Sequence, residues 1–196
     1  MIENETLAID RAAIFEAGGS RAKVLFFPTA AYNSDDYIKI FSDYYMGLGV
    51  MSVDSAKIGN EKTDLIINKI RHSDLIYLGG GNTKKIIEDF VNNNLVNEVI
   101  SFLDGGGVLV GISAGAMCLS ATAVVSEYND KLNVMAGLNI INNFVIVAHY
   151  DLCDEKNLKI LKHMYPNKKV VAIPEKEALF IKDCDNIKLG KGIKIF

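Results

Sequence analysis

The 196-residue chain predicts an α/β fold, with a mostly parallel sheet covered by helices on both faces. Two observations carry this reading. Short apolar, β-branched runs alternate with stretches of helical periodicity along the chain. Two of those runs end in small-residue loops, Gly79-Gly80-Gly81-Asn82-Thr83 and Gly111-Ile112-Ser113-Ala114-Gly115, so the loops of interest lie at the C-terminal ends of strands. No repeat, low-complexity tract or long linker interrupts the pattern. Residues 1–196 therefore read as a single domain, with residues 1–21 an atypical N-terminus.

The elements follow in order. Lys23 to Phe27 is a short apolar run closed by Pro28-Thr29-Ala30, a strand entering a loop. Asp35 or Asp36 then caps a helix that carries Ile38, Phe41, Tyr44 and Tyr45 at helical spacing. Val50 to Val53 is a weak strand, and Asp64 to Ile70 a helix with Leu65, Ile66 and Ile70 inward. Leu75 to Leu78 reads as a buried strand, and a helix follows through Ile86, Ile87, Phe90 and Val91. Val108 to Val110 reads as a second buried strand, and Ala116 to Leu119 can propagate a helix. Phe144 to Ala148 is another strand, ending at His149, and a helix covers Leu158 to Met164. Val170 to Ile173, Ala178 to Ile181 and a short strand near Ile193 close the chain, and residues 168–196 read as an antiparallel tail or edge hairpin.

Composition bounds the function. At 49% hydrophobic and 23% charged residues, the chain has enough apolar content for a real core. A net charge of −3, with lysines and arginines scattered along the sequence, argues against nucleic acid or a membrane surface as partner. The three cysteines, Cys118, Cys153 and Cys184, lack metal-ligand spacing, which suits reduced thiols and a cytoplasmic protein. Cys118 is expected to be a small buried hydrophobe. The N-terminus lacks a basic segment followed by an apolar one, and no apolar run reaches membrane-spanning length.

The chemistry centres on Ser113. A strand that turns sharply into a helix at a serine, between glycines two positions away on each side, is a nucleophile elbow. The turn strains the serine backbone and pushes Oγ outward, while Gly111 and Gly115 let strand and helix approach closely. Taken alone, Gly-x-Ser-x-Gly is equally a small-residue turn. The loop at Gly79 to Thr83 fits two roles. It can cradle a phosphate, although the Lys-Ser/Thr of a P-loop is missing. Alternatively, an amide of Gly80 or Gly81 joins the Ala114 N–H to form an oxyanion hole.

His149 stands at a strand end, where a general base must stand to serve a serine on a neighbouring strand. The other two histidines, His72 and His163, lie among charged residues and read as surface. The base needs an acid to hold its tautomer. Glu127, Asp130, Asp151 and Glu175 are the candidates, and spacing alone separates them poorly.

Leu78 to Thr83, Gly111 to Ala116 and Ala148-His149-Tyr150, in this order and spacing, resemble the peptidase E (aspartyl dipeptidase) and cyanophycinase family of serine peptidases. The Pro174-Glu175…Ala178 segment is similar as well, and the resemblance runs from about residue 22 to the C-terminus. It implies a three-layer α/β/α sandwich of the class I glutamine amidotransferase-like (flavodoxin-like) type, with serine replacing the cysteine nucleophile. By position it makes Ser113 the nucleophile, His149 the base and Glu127 the acid. In amidotransferase-type triads the acid sits two residues after the histidine, which keeps Asp151 as a competitor beside Glu175. Family members usually open with a strand and a Gly-rich turn. Met1 to Ser20 carries no copy, so that strand is expected to be missing or remodelled.

The resulting expectation is a cytoplasmic serine peptidase, monomeric or homodimeric, that hydrolyses short peptides through a Ser-His-Glu triad and needs no metal or cofactor. A dipeptidase of Asp-X type would need a cation facing the substrate carboxylate. After His149 the chain offers Lys156 and Lys159 rather than arginine. A non-peptidase amide or ester hydrolase, and a non-catalytic binding protein on the same scaffold, are the alternative functions.

Overall fold

A computed structural model describes residues 6–126, 132–150, 155–182 and 185–196. Helix α1 (Leu7–Glu16) comes first, where the family resemblance leads one to expect a strand. Strands β1 (Lys23–Phe27), β2 (Ser52–Ser55), β3 (Leu75–Leu78) and β4 (Val108–Gly111) then form one sheet in the order β2-β1-β3-β4, every pair parallel. Helices α2 (Asp35–Gly47), α3 (Thr63–Arg71), α4 (Thr83–Asn92) and α5 (Val96–Asp104) form the crossovers.

The elbow turns into α6 (Ala114–Met117), and β5 (Thr122–Ser126) pairs with β6 (Leu132–Ala136) as an antiparallel hairpin. A second unit has the order β11-β8-β7. In it β7 (Phe144–Ala148) runs parallel to β8 (Lys169–Ile173), with α7 (Glu155–Met164) between them in sequence. Strand β9 (Ala178–Lys182) pairs antiparallel with β10 (Asp185–Leu189), and β11 (Lys194–Ile195) closes antiparallel on β8. The architecture is thus mixed α/β with a mostly parallel central sheet. The expected antiparallel tail holds for β9 with β10 and for β11 with β8, while β8 also runs parallel to β7.

Two apolar layers cover the first sheet. Leu25, Phe27, Ile76 and Leu78 pack with Ile66, Ile70, Ile86 and Phe90 of α3 and α4. Val24, Phe26, Leu75 and Tyr77 pack with Phe41 and Tyr45 of α2 and Ile14 of α1. This alternation along β1 and β3 is the period-two geometry of a strand buried on both faces. Several sequence expectations shift. Ser34, not Asp35 or Asp36, caps α2, its Oγ accepting from the Tyr37 N–H at 3.3 Å. Leu65 is 55% exposed, so α3 turns Ile66 and Ile70 inward, with Ile67 partly buried against the same core, and Val91 faces out. Strand β4 is half-buried along its length rather than fully buried, and among the described residues it stands at the sheet edge with β3 as its one partner. Among the described residues, no helix is long and apolar enough to cross a membrane.

Helix α1 is fastened by a carboxylate. Asp10 is 3% exposed and accepts hydrogen bonds from Thr6 Oγ1 (2.9 Å), Tyr44 Oη (2.9 Å) and Tyr45 Oη (2.8 Å). Burial, and next Asp10, push the Tyr44 phenol up to about 12, from an ordinary value of 10.0. Asp10→Ala leaves the buried Tyr45 hydroxyl and the part-buried Tyr44 hydroxyl without this acceptor and is expected to cost about 2–3 kcal/mol in urea unfolding. The raised Tyr44 value means that the fold favours the protonated phenol. Its contribution is therefore complete below about pH 10 and is lost as pH rises toward 12; burial raises Tyr45 and Tyr77 too, so the difference in denaturation midpoint between the parent and Tyr44→Phe across that range measures the Tyr44 share.

Candidate active site

The register of β3 and β4 builds the first half of the site. Leu78 lies beside Gly111, so the Gly79–Gly81 loop and Ile112-Ser113 leave the sheet side by side. The Ile112 N–H donates to the Leu78 carbonyl at 3.1 Å. Ser113 then adopts φ 53° and ψ −114°, a conformation that L residues rarely take. Strain of this kind costs about 1–3 kcal/mol and persists only where the surroundings impose it.

The surroundings here are hydrogen bonds and close backbone packing. The Gly115 N–H donates to the Ile112 carbonyl at 2.8 Å, and the Ala116 and Met117 N–H groups donate to the Ser113 carbonyl, each at 3.0 Å. A Cβ on Gly111 would lie 2.3 Å from the Gly115 carbonyl oxygen, and one on Gly115 would lie 2.2 Å from that of Leu78. Any side chain at either position would push the elbow apart. Ser113 is the N-cap residue of α6, yet its side chain makes no capping bond, so Oγ is left for chemistry. Helix α6 starts earlier than expected and is a single turn, which leaves little macrodipole. The contribution of Ala114 is therefore its own N–H at the first helical position, where no intrahelical acceptor exists.

The glycine loop stands directly over the elbow. A Cβ on Gly80 would lie 3.3 Å from Ser113 Cβ. Gly81 has φ +136°, and a Cβ there would meet the Ala30 carbonyl oxygen at 2.4 Å, so only glycine fits. The Asn82 N–H donates to the same carbonyl at 2.9 Å, and Asn82 Oδ1 caps α4 by accepting from the Lys85 N–H at 3.0 Å. The Gly80 N–H donates to Tyr37 Oη at 3.4 Å. Burial raises the Tyr37 phenol, while the Gly80 N–H acts in the opposite direction.

The register of β7 and β8 builds the second half. Ala148 lies beside Ile173, so the next residues, His149 and Pro174-Glu175, emerge as neighbours. His149 has φ 55°. Its Nδ1 is buried and faces Glu175 Oε1 at 3.5 Å, in ion-pair range but out of hydrogen-bond alignment. The imidazole as a whole is 42% exposed. Helix α6 rests on this strand, with Met117 packed among Phe144 and Ile146 and both Ala116 and Ala148 against that cluster.

Of the carboxylates considered in the sequence, Glu175 alone lies among the described residues, whereas Glu127, Asp130 and Asp151 fall outside them. Cys118 is fully buried, its Sγ donates to the Gly115 carbonyl at 3.2 Å, and burial drives its thiol far above the ordinary range. It packs as the small hydrophobe expected. His72, His163, Lys156 and Lys159 are exposed. Among the described residues, no cluster of His, Cys, Asp or Glu is placed to hold a metal ion. A cleft of about 570 Å³ beside Arg71, Asp74 and Gly105–Gly107 lies at the opposite end of β3 and β4, away from Ser113. Tyr37, which no sequence motif marks, reaches the glycine loop from α2. The sequence signal for it is the stripe Tyr37, Phe41, Tyr45, spaced i, i+4, i+8 on one face of α2.

The sequence profile of peptidase family S51 matches residues 2–189. The chain belongs to peptidase family S51. By family it is a serine-type peptidase. It is 27% identical to the uncharacterized peptidase YgaJ of Bacillus subtilis (strain 168) over 60% of this chain, a stretch spanning 50% of YgaJ. It is 26% identical to Peptidase E of Shewanella sp. (strain W3-18-1), over 87% of this chain and 75% of that protein. The fold matches that of a peptidase from an acI-B1 Actinobacterium with TM-score 0.71 and 22% identity, covering 88% of this chain and 75% of the other. A Listeria monocytogenes EGD-e protein, described as a candidate peptidase E, matches with TM-score 0.71 and 24% identity over 91% and 92% of the two chains.

Because the elbow of this S51 peptidase is closed by backbone against backbone, Gly115→Ala is expected to lower stability by about 3 kcal/mol. A matched alanine substitution at Gly105, which lies away from Ser113 and where the nearest contacts stand at 3.4 Å, serves as the comparison in denaturant melts.

Proposed function

We propose that this enzyme hydrolyses short peptides by acyl transfer to Ser113. The observation that carries the reading is the strained Ser113 backbone directly beneath Gly80, with the hydroxyl uncommitted to capping. In this reading Ser113 Oγ attacks the scissile carbonyl and His149 takes its proton. The Nδ1 edge of His149 is buried toward Glu175, so the Nε2 edge serves the serine. The N–H groups of Ala114 and of Gly80 or Gly81 hold the oxyanion, a contribution commonly about 3–4 kcal/mol per donor. His149 returns the proton to the leaving amine, and water then releases the acyl group through the same oxyanion.

Glu175 orients His149 in this scheme, supported by the 3.5 Å contact and by the β7–β8 register that produces it. Glu127, which matches the position of the family acid, and Asp151 are the competing carboxylates. Preference for an N-terminal aspartate is a further proposal. Lys156 and Lys159 on α7 are the cations that the segment after His149 offers for it.

A fluorophosphonate is expected to label Ser113, and Ser113→Ala to abolish labelling and lower dipeptide turnover by at least about 10³-fold. Unchanged turnover in that variant would overturn the reading. A substrate panel of Asp-X and Ala-X dipeptides beside simple esters separates a peptidase from a general amide or ester hydrolase. Glu175→Gln is expected to lower kcat by about 10³-fold or more. A larger loss in Glu127→Gln or Asp151→Asn would move the role of the acid to that residue.

A further inference from the structure

We propose that Tyr37 is a positioning residue for the oxyanion site, its hydroxyl holding the Gly79–Gly80 peptide so that the Gly80 N–H faces the reacting centre. The inference rests on the reading of Ser113 as nucleophile and Gly80 as an oxyanion donor, and it adds a residue that neither glycine motif contains.

The argument begins with the loop's own freedom. The Gly79–Gly80 peptide is flanked by two residues without side chains, so rotating it, carbonyl for N–H, meets little steric resistance. A rotated peptide would turn a carbonyl oxygen toward the developing negative charge and convert stabilisation into repulsion. Catalysis by this loop therefore needs an acceptor that keeps the N–H outward in the resting enzyme. Tyr37 Oη is that acceptor, at 3.4 Å from Gly80 N. The bond is longer than the usual ~2.7–3.2 Å, a weak contact that biases the peptide's orientation and that a substrate oxygen can displace.

Tyr37 is itself fixed from three sides. Its N–H is held by Ser34 Oγ at 3.3 Å, in the first turn of α2. Its ring meets Phe26 edge to face, with centroids 4.9 Å apart and an interplanar angle of 79°. Gly79 lies against the ring so closely that a Cβ there would stand 3.1 Å from Tyr37 Cε1. Phe26 is fully buried in β1 and stacks on Phe41 at 4.0 Å, so the core of the first sheet carries the ring, and the ring carries the hydroxyl. The Gly79 N–H is engaged separately by the Phe27 carbonyl at 3.1 Å, which anchors one end of the loop and leaves the Gly80 peptide to Tyr37.

Tyr37→Phe keeps the ring and its contact with Phe26 and removes only the acceptor. With a dipeptide substrate it is expected to lower kcat about 10-fold, with KM changed less than twofold. A peptide boronate, which forms a tetrahedral adduct on the serine, is expected to bind about 10-fold more weakly to the variant. Tyr37→Leu, which also lacks the hydroxyl, is expected to show the same split. A purely structural role would instead lower the melting temperature or the active fraction and leave the kcat and boronate affinity of the folded enzyme intact. Folded Tyr37→Phe with kcat and boronate affinity within twofold of the parent overturns the proposal. Wild-type enzyme that fluorophosphonate does not label at Ser113 removes the underlying reading instead, so the two failures are distinct.

Discussion

Leu78 pairs with Gly111 and Ala148 pairs with Ile173, and from these two parallel registers the candidate site is built. In a parallel pair, strands aligned along their length also end together, so the loops that leave them start as neighbours. The first register brings Gly80 over Ser113, and the second brings Glu175 to His149. A one-residue slip in either would turn the strand's buried side chains to the opposite face. The apolar layers on both faces of β3, and the burial of Val145, Val147, Val170 and Ala172 in the second unit, therefore hold the candidate site residues in place from within the core.

The two halves meet through the elbow rather than through a shared ladder. Helix α6 springs from β4 and rests on β7, and beyond it the Ser120 Oγ accepts the Ile146 N–H at 3.1 Å in a fully buried position. The arrangement sets backbone strain at Ser113 against close approach at Gly111 and Gly115. Relaxing the serine would require breaking hydrogen bonds that fasten α6, so the strained conformation is the one compatible with the packed helix.

Much of this was legible in the sequence. β1, β3, β4, β7 and the four helices from α2 to α4 and α7 stand close to their expected bounds, because each pairs an apolar run or stripe with flanking turn residues. Helix α5 and the β5–β6 hairpin lie outside the elements that the sequence pattern marks. Val96 to Asp104 follows Leu95 with no capping side chain, and the hairpin's pattern resembles any mixed polar and apolar segment. Strand β2 moved by two residues, since Ser52 to Ser55 lacks the apolar run that marks a strand. Leu65 and Ile66 are adjacent apolar residues expected inward together, and only the docking of α3 decides that Ile66 faces the sheet and Leu65 does not.

By itself, the sequence determined the α/β class, the serine between two glycines, the glycine loop and the histidine at a strand end. Each is a local pattern, set by residue type over a few positions. Tertiary structure alone decided that Glu175 approaches His149, that Gly80 stands against Ser113 and that Tyr37 reaches the Gly80 N–H. These pairs are separated by 26, 33 and 43 residues along the chain. Contacts at such range depend on strand register and helix docking, which arise from the packing of the whole core and leave no mark in any short stretch of sequence.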